Sequence, residues 1–271
     1  MEPSATLRSL SLDHRQSGNR TGHRLFRNQR WSALLLLVLA AQTASAVEVA
    51  IGVGGSVSSA PYKHYDTQWT PLPMIDVDSD YFYLRGAAAG VKIFKRDFIE
   101  VSVFGAYDAT SFDSGDTSDE HLRNLKDRDA SVAMGLEVRL LTPYGMLHAS
   151  AARDILGNSE GINGSLGYAY SAEFGPLEII PKAGVYWADS RYNRYYYGIS
   201  DQESHLSGLL AYNPGAGVTP YFGLAMSYSL TDAWEVLLSG EMVFSGGNIQ
   251  DSPMVGHAHT QSLTIGIMYN F

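Results

Sequence analysis

His148, Ser150 and Asp154 are of the types that supply a nucleophile's base, the nucleophile and an orienting acid. Their spacing opposes that chemistry. In an extended segment all three share one face at steps of about 7 Å, too far for direct nucleophile–base contact. His257 and His259, at i and i+2, could converge on a metal in an irregular loop, but no third ligand accompanies them, and they read as solvated histidines. Asp108, Asp113, Asp116, Asp119, Glu120, Asp127 and Asp129 crowd one polar stretch. Hard cations take clustered oxygens. The spacing is not that of an EF-hand, however, and a solvated acidic loop fits better. Gly52-Val-Gly54-Gly55 resembles a fragment of a phosphate loop, but no helix follows it. No catalytic residue, metal ligand or cofactor is expected.

The densest aromatic cluster is Tyr192, Tyr195, Tyr196 and Tyr197, interleaved with Arg191 and Arg194. These types dominate binding hot spots, so one reading is a recognition loop for a partner or glycan. The other is a loop folded into a barrel mouth as a plug or cap. Both stay open.

The elements that must hold these residues have period two. Val132, Met134, Leu136, Val138 and Leu140 alternate with Ser131, Ala133, Gly135, Glu137 and Arg139. Phe222, Leu224, Met226, Tyr228 and Leu230 alternate with Tyr221, Gly223, Ala225, Ser227 and Ser229. Strands place successive side chains on opposite faces. The second face is too poor in Lys and Glu for a water-exposed surface, and suits a narrow polar lumen. Apolar side chains toward lipid and polar ones inward define an outer-membrane barrel. On this phase Glu100, Glu137, Arg139, Glu173, Lys182, Glu235 and Glu241 fall on the inner face. On the lipid face at mid-membrane each would cost roughly 2–4 kcal/mol.

Tight turns at 95–97, 142–144, 175–177 and 231–233 alternate with long polar stretches at 108–128, 155–160, 190–216 and 246–258. Short periplasmic turns and long outer loops predict this layout. Tyr107, Tyr186, Trp187, Trp234 and Tyr269 lie near strand ends, where interfacial girdles sit. Leu263, Ile265, Ile267, Tyr269 and the final Phe271 share one face of the last strand, a pattern similar to the signal read by the bacterial barrel-assembly machinery. The expected class is therefore all-β, a transmembrane antiparallel up-and-down outer-membrane barrel over 47–271. Ten strands result if 69–78, with Pro71 and Pro73, belongs to an outer excursion. Twelve result if an extra pair forms there.

Residues 1–46 read as a signal peptide with a long basic leading region. Arg24, Arg27 and Arg30 precede the apolar run from Trp31 to Ala40, and Ala44-Ser-Ala46 offers the small-x-small cleavage pattern, with the cut after Ala46. The run is too short to span a bilayer comfortably, which takes roughly 20 residues. Without this segment 13 basic and 26 acidic side chains remain, a net charge of −13. That excess of acid excludes a nucleic-acid binder, which needs a basic face. The absence of Cys excludes disulfides, thiolate metal sites and Cys nucleophiles, and the 27 Gly weigh against a helical bundle.

Tyr192-Asn-Arg-Tyr-Tyr-Tyr-Gly-Ile-Ser200, followed by Ser207-Gly-Leu-Leu-Ala-Tyr-Asn-Pro-Gly-Ala-Gly217, resembles the MipA/OmpV family of outer-membrane proteins. Trp69-Thr-Pro-Leu-Pro-Met74 and Thr231-Asp-Ala-Trp234 support it. The resemblance covers essentially all of 47–271. It implies a non-catalytic barrel in the outer membrane, in contact with its lipid and lipopolysaccharide. It also implies a scaffold bridging the lytic transglycosylase MltA and a bifunctional penicillin-binding protein in murein remodelling. The alternatives are a narrow solute channel and a surface adhesin or stress-response barrel.

Overall fold

The computed structural model describes residues 47–271; the expected leader and its Ala44–Ala46 cleavage pattern lie outside the described residues. The alternating segments form strands joined edge to edge. In chain order these are β1 (Glu48–Ser58), β2 (Gln68–Asp78), β3 (Phe82–Arg85), β4 (Ala88–Arg96), β5 (Ile99–Asp108), β6 (Ser131–Thr142) and β7 (Gly145–Asp154). Then follow β8 (Ile162–Ala169, resuming as Ala172–Phe174), β9 (Leu177–Ala188), β10 (Gly217–Ser229), β11 (Trp234–Phe244) and β12 (His259–Asn270). Both pieces of β8 pair with β9, so they are one barrel strand interrupted at Tyr170–Ser171. Each strand pairs antiparallel with the next, and β12 closes on β1, for instance Val53 opposite Ile267. Among the described residues the barrel has twelve strands, the larger of the two expected counts.

The phase is the expected one. Val53, Leu136, Leu166, Phe222 and Ile265 are exposed on the outside, while Ser56, Ser102, Ala133, Lys182, Ser239 and Glu241 are buried within. Closure pairs the strands all round the barrel except along 68–74 of β2, where among the described residues no strand pairs on the β3 side; a closed ladder is the condition for spanning a hydrocarbon layer with strands. Gly54 and Gly266 face inward on adjacent strands, and a Cβ at either would strike the Met74 sulfur. Met74 packs there on Ala50, Leu237 and Met268, an apolar cluster in the periplasmic half of the bore.

Three expectations are corrected. The alternation of short and long connections fails at Gly86–Ala87, a tight turn on the outer side between β3 and β4. Gly86 takes φ 55° there, a conformation that costs glycine little. Glu173 keeps the inward phase, opposite Glu178, but lies exposed at the periplasmic rim rather than inside the lumen. Tyr186 belongs to the lumen rather than to a girdle: its ring stacks on Tyr221 at 4.5 Å and its hydroxyl donates to Glu241 at 3.2 Å. Trp187, one residue on, is exposed on the outer face. At the periplasmic end Tyr81, Phe98, Tyr144, Phe174, Trp234 and Phe271 are exposed. They form the girdle expected at that interface.

Candidate functional site

The outer loops do not stand free in solvent; they fold together over the mouth. Asp189 caps the first helix of this lid, α1 (Ser190–Tyr197), by accepting from the Tyr192 N–H at 2.9 Å. α2 (Asp201–Ser207) begins with a capping box: Ser200 accepts from the Glu203 N–H and Glu203 reaches back to the Ser200 N–H. Around them Tyr62, Phe112, Leu122, Leu125, Tyr196, Tyr197, Ile199, Ile249, Met254 and Val255 form a buried core drawn from four different loops. This second core is what makes the lid a folded unit.

The aromatic–arginine cluster is therefore largely structural in its placement. Tyr196 and Tyr197 are buried, Tyr192 and Tyr195 half-buried, and Arg191 and Arg194 exposed. The Tyr192 hydroxyl donates to Asp108 at 2.9 Å, and that of Tyr195 accepts from the Asp129 N–H at 2.9 Å. Arg194 donates to the Asn213 side chain at 2.7 Å. The plug alternative describes this geometry.

The acidic stretch is the other half of the lid, and its carboxylates are not simply solvated. Asp108 accepts from Thr110, Tyr192 and Asn163; Asp113 from the Gly115 N–H; and Asp127 from Ser114. Burial raises the Asp119 carboxyl, but the N–H groups of Leu122 and His121 and the His64 ring more than offset it and hold it below the usual carboxylate range. Folding a loop forces its orphaned backbone donors to find acceptors, and here the Asp side chains supply them. Burial likewise pushes the Tyr65 hydroxyl up to about 12 where it supports Asp113.

One ion pair of the lid escaped the sequence reading. Arg128 donates to Glu203 at 2.6 Å and to the carbonyls of Tyr195 and Lys126, with both charged side chains buried. Ser-x-x-Glu at 200–203 was its visible signal. Burial raises the Glu203 carboxyl, and the bonds from Arg128 and Ser200 outweigh it and set it low.

Beneath the lid lies a cavity of about 320 Å³, walled by hydroxyl and amide groups such as Ser56, Ser150, Asn163, Ser165 and Ser262. Lys182 pairs with Glu241 in the wall. Nearer the periplasm Asp78 receives both Arg85 and Lys92, Lys92 lies 3.3 Å from Glu100, and Arg139 donates to Glu137 at 3.0 Å. The inward charges thus meet one another, as the sparse spacing anticipated. His148 and Ser150 do not touch directly; Ser165 of β8 lies between them, 3.3 Å from His148 and 2.8 Å from Ser150. Asp154 is elsewhere, accepting from the N–H groups of Leu156, Gly157 and Ser159 in the loop after β7. His257 and His259 are exposed, His259 beside the Phe244 ring.

Leu263, Ile265, Ile267 and Phe271 lie exposed on the outer face of β12, and Tyr269 sits edge-on to both Trp234 and Phe271. The profile of the family described as MltA-interacting protein MipA matches residues 51–271. The MltA-interacting protein of Escherichia coli strain K12 is 34% identical over 221 residues, covering 82% of this chain and 89% of that protein. The outer membrane protein YiaT of Escherichia coli O157:H7, so named provisionally, is 30% identical over 84% of this chain and 93% of its own. Outer membrane protein OmpV of Vibrio cholerae is 26% identical over 61% of this chain and 62% of its own. The closed barrel with its outward apolar face and folded lid is thus that of an outer-membrane protein, and the chain belongs to the MltA-interacting protein MipA family, the MipA/OmpV group.

Proposed function

We propose that this barrel is a non-catalytic scaffold that holds murein-remodelling enzymes, a lytic transglycosylase of the MltA kind and a bifunctional penicillin-binding protein, against the inner face of the outer membrane. The observation that carries the reading is the likeness to a relative named for its interaction with MltA, spanning nearly the whole barrel. The division of the molecule supports it. The lid's polar groups are spent on holding its own loops, which roof the cavity, and Met74, Leu237 and Met268 pack together on the inner wall below it. What faces the periplasm is a charged rim of short turns carrying Asp80, Lys95, Arg96, Asp97, Glu173 and Asp232. Partners of the murein layer lie on that side.

The reading extends to biogenesis. Residues 1–46 direct export and are cut after Ala46, within the Ala44–Ala46 pattern, and Leu263, Ile265, Ile267, Tyr269 and Phe271 present the β12 face to the barrel-assembly machinery. A second reading, a surface adhesin, draws on Arg191, Arg194, Leu206 and Leu210, exposed on the lid. In that reading the loop Arg191–Tyr197 contacts the ligand through its exposed arginines and the half-buried Tyr192 and Tyr195.

The test is capture of a purified lytic transglycosylase by the detergent-solubilised barrel. Retention that falls at least tenfold in Lys95→Glu/Arg96→Glu, and is unchanged in Arg191→Glu/Arg194→Glu, supports the scaffold. Loss only in the lid variant, or no retention at all, overturns it.

A further inference from the structure

The cavity beneath the lid carries polar groups that the protein itself leaves unused. Ser58, Thr70, Asn163, Thr219 and Thr260 line it, each on the inward phase of its strand and each half-buried. Among the described residues the four hydroxyls bond no other residue, and neither does the Asn163 amide oxygen. The lid and the lower lumen behave differently. There the charged groups are paired, as Arg128 is with Glu203 and Lys92 with Asp78. Free hydroxyls in a roofed space hold water, and a guest rich in hydroxyls replaces those bonds one for one.

The charge of the wall sets the charge of the guest. Among the described residues lining this cavity there is no Lys, Arg or His, so nothing there neutralises an anion. Its two acids are Asp108 and Glu241, and both are already engaged. One Asp108 oxygen accepts from the Thr110 N–H and hydroxyl, and the other from the Asn163 amide and the Tyr192 hydroxyl. A carboxylate has about four acceptor sites, so these bonds fill it. Glu241 is held by Lys182 and by the Tyr186 hydroxyl. Neither acid is left for a cation.

The wall is also two-sided. Ser58, Thr70 and Thr260 stand on the adjoining strands β1, β2 and β12. In a closed ring of twelve, β6 is opposite β12. On that side Phe104 and Ala106 of β5, Ala133 of β6 and Ala152 of β7 offer no polar side-chain atom. At about 320 Å³ the space is at the small end of ligand pockets, which run from about 300 to 1,000 Å³. A second cavity of about 50 Å³ shares Ser58, Thr110 and Thr260 with it. It continues toward the outside between the loop before β2 and the loop after β5.

We infer that the cavity is a binding site for a neutral sugar of a single ring. Its hydroxyls meet Ser58, Thr70 and Thr260 on one side and Asn163 and Thr219 on another, and its C–H face lies on Phe104. A ring sugar combines an apolar face with a rim of uncharged donors and acceptors, and this wall offers the complement of both.

The test uses the mature barrel in phosphatidylcholine nanodiscs, since glucoside and maltoside detergents would themselves present sugar heads. Glucose, galactose and N-acetylglucosamine are titrated by saturation-transfer NMR. At least one is expected to saturate, with the strongest transfer to the protons of one ring face. Protonated glucosamine and glucose 6-phosphate are expected to bind at least tenfold more weakly than the best neutral sugar. Thr70→Val/Thr219→Val keeps the shape of the wall and removes two hydroxyls, and Ala133→Trp fills the space. Each is expected to weaken binding at least tenfold, in protein that retains the heat-modifiable mobility of a folded barrel. Saturation by none of the three sugars would overturn the site, leaving a cavity that holds water alone. So would equal binding of a charged sugar, tighter binding of the open-chain polyol sorbitol than of every ring, or unchanged affinity in either variant.

Discussion

At the scale of single residues, the account turns on which charged groups find partners. Arg128 and Glu203 stand 75 positions apart, yet both are buried and joined at 2.6 Å. No sequence pattern connects such a pair, because its members are brought together by a core assembled from several loops. Only the Ser200–Glu203 half leaves a local trace in the sequence, the Ser-x-x-Glu spacing of a capping box, and it was not read as one. The carboxyl of Glu203 is held low in the fold, so its contribution to lid stability is complete above the ordinary carboxylate range and is lost as pH falls through the lowered value. Glu203→Gln leaves a buried guanidinium without its counter-charge, at a cost of roughly 3–5 kcal/mol. We expect the lower end, since the carbonyls of Tyr195 and Lys126 still accept from Arg128. Hydrogen exchange at 122–128 and 200–207 should accelerate in this variant at neutral pH and lose most of its acid dependence. In the parent protein the same segments should open only on acidification. Exchange identical to the parent at both pH values would show that the pair does not hold the lid.

At the scale of elements, the strands were legible because period two fixes a face, and a slip of one residue would turn every inward charge toward lipid. The alternation at 131–140 and 220–230 is therefore reproduced in β6 and β10. The region 68–96 was ambiguous for a physical reason. β2 contains two prolines and β3 has only four residues, so neither carries a full periodic signature. Proline is tolerated in β2 because positions 71 and 73 face the unpaired side of the strand. Replacing both, as Pro71→Thr/Pro73→Thr, restores two donors at an edge that borders lipid. We expect self-association through that edge, seen as dimers by sedimentation in detergent, together with a lower denaturation midpoint. A monomer of unchanged stability would mean that the edge is covered by another part of the chain.

At the scale of the whole molecule, the orientation and closure of the barrel were readable, and the lid's interior was not. The loops contain the polar residues of ordinary exposed segments, and their ten-residue core becomes apparent only once four of them are superposed over the mouth. A roofed and partly filled twelve-strand bore predicts little conductance in planar bilayers, whereas replacing 191–212 by a short linker should expose the cavity and yield at least intermittent openings. Steady currents through the intact protein would favour a solute channel instead. The most direct measurement of the scaffold claim is site-specific photocrosslinking in living cells from Lys95, Tyr144 and Asp232 at the periplasmic turns, and from Arg191 and Leu210 on the lid. The account predicts adducts with a lytic transglycosylase or a penicillin-binding protein from the first set alone. Adducts with those enzymes from the lid positions, or from neither set, would contradict it.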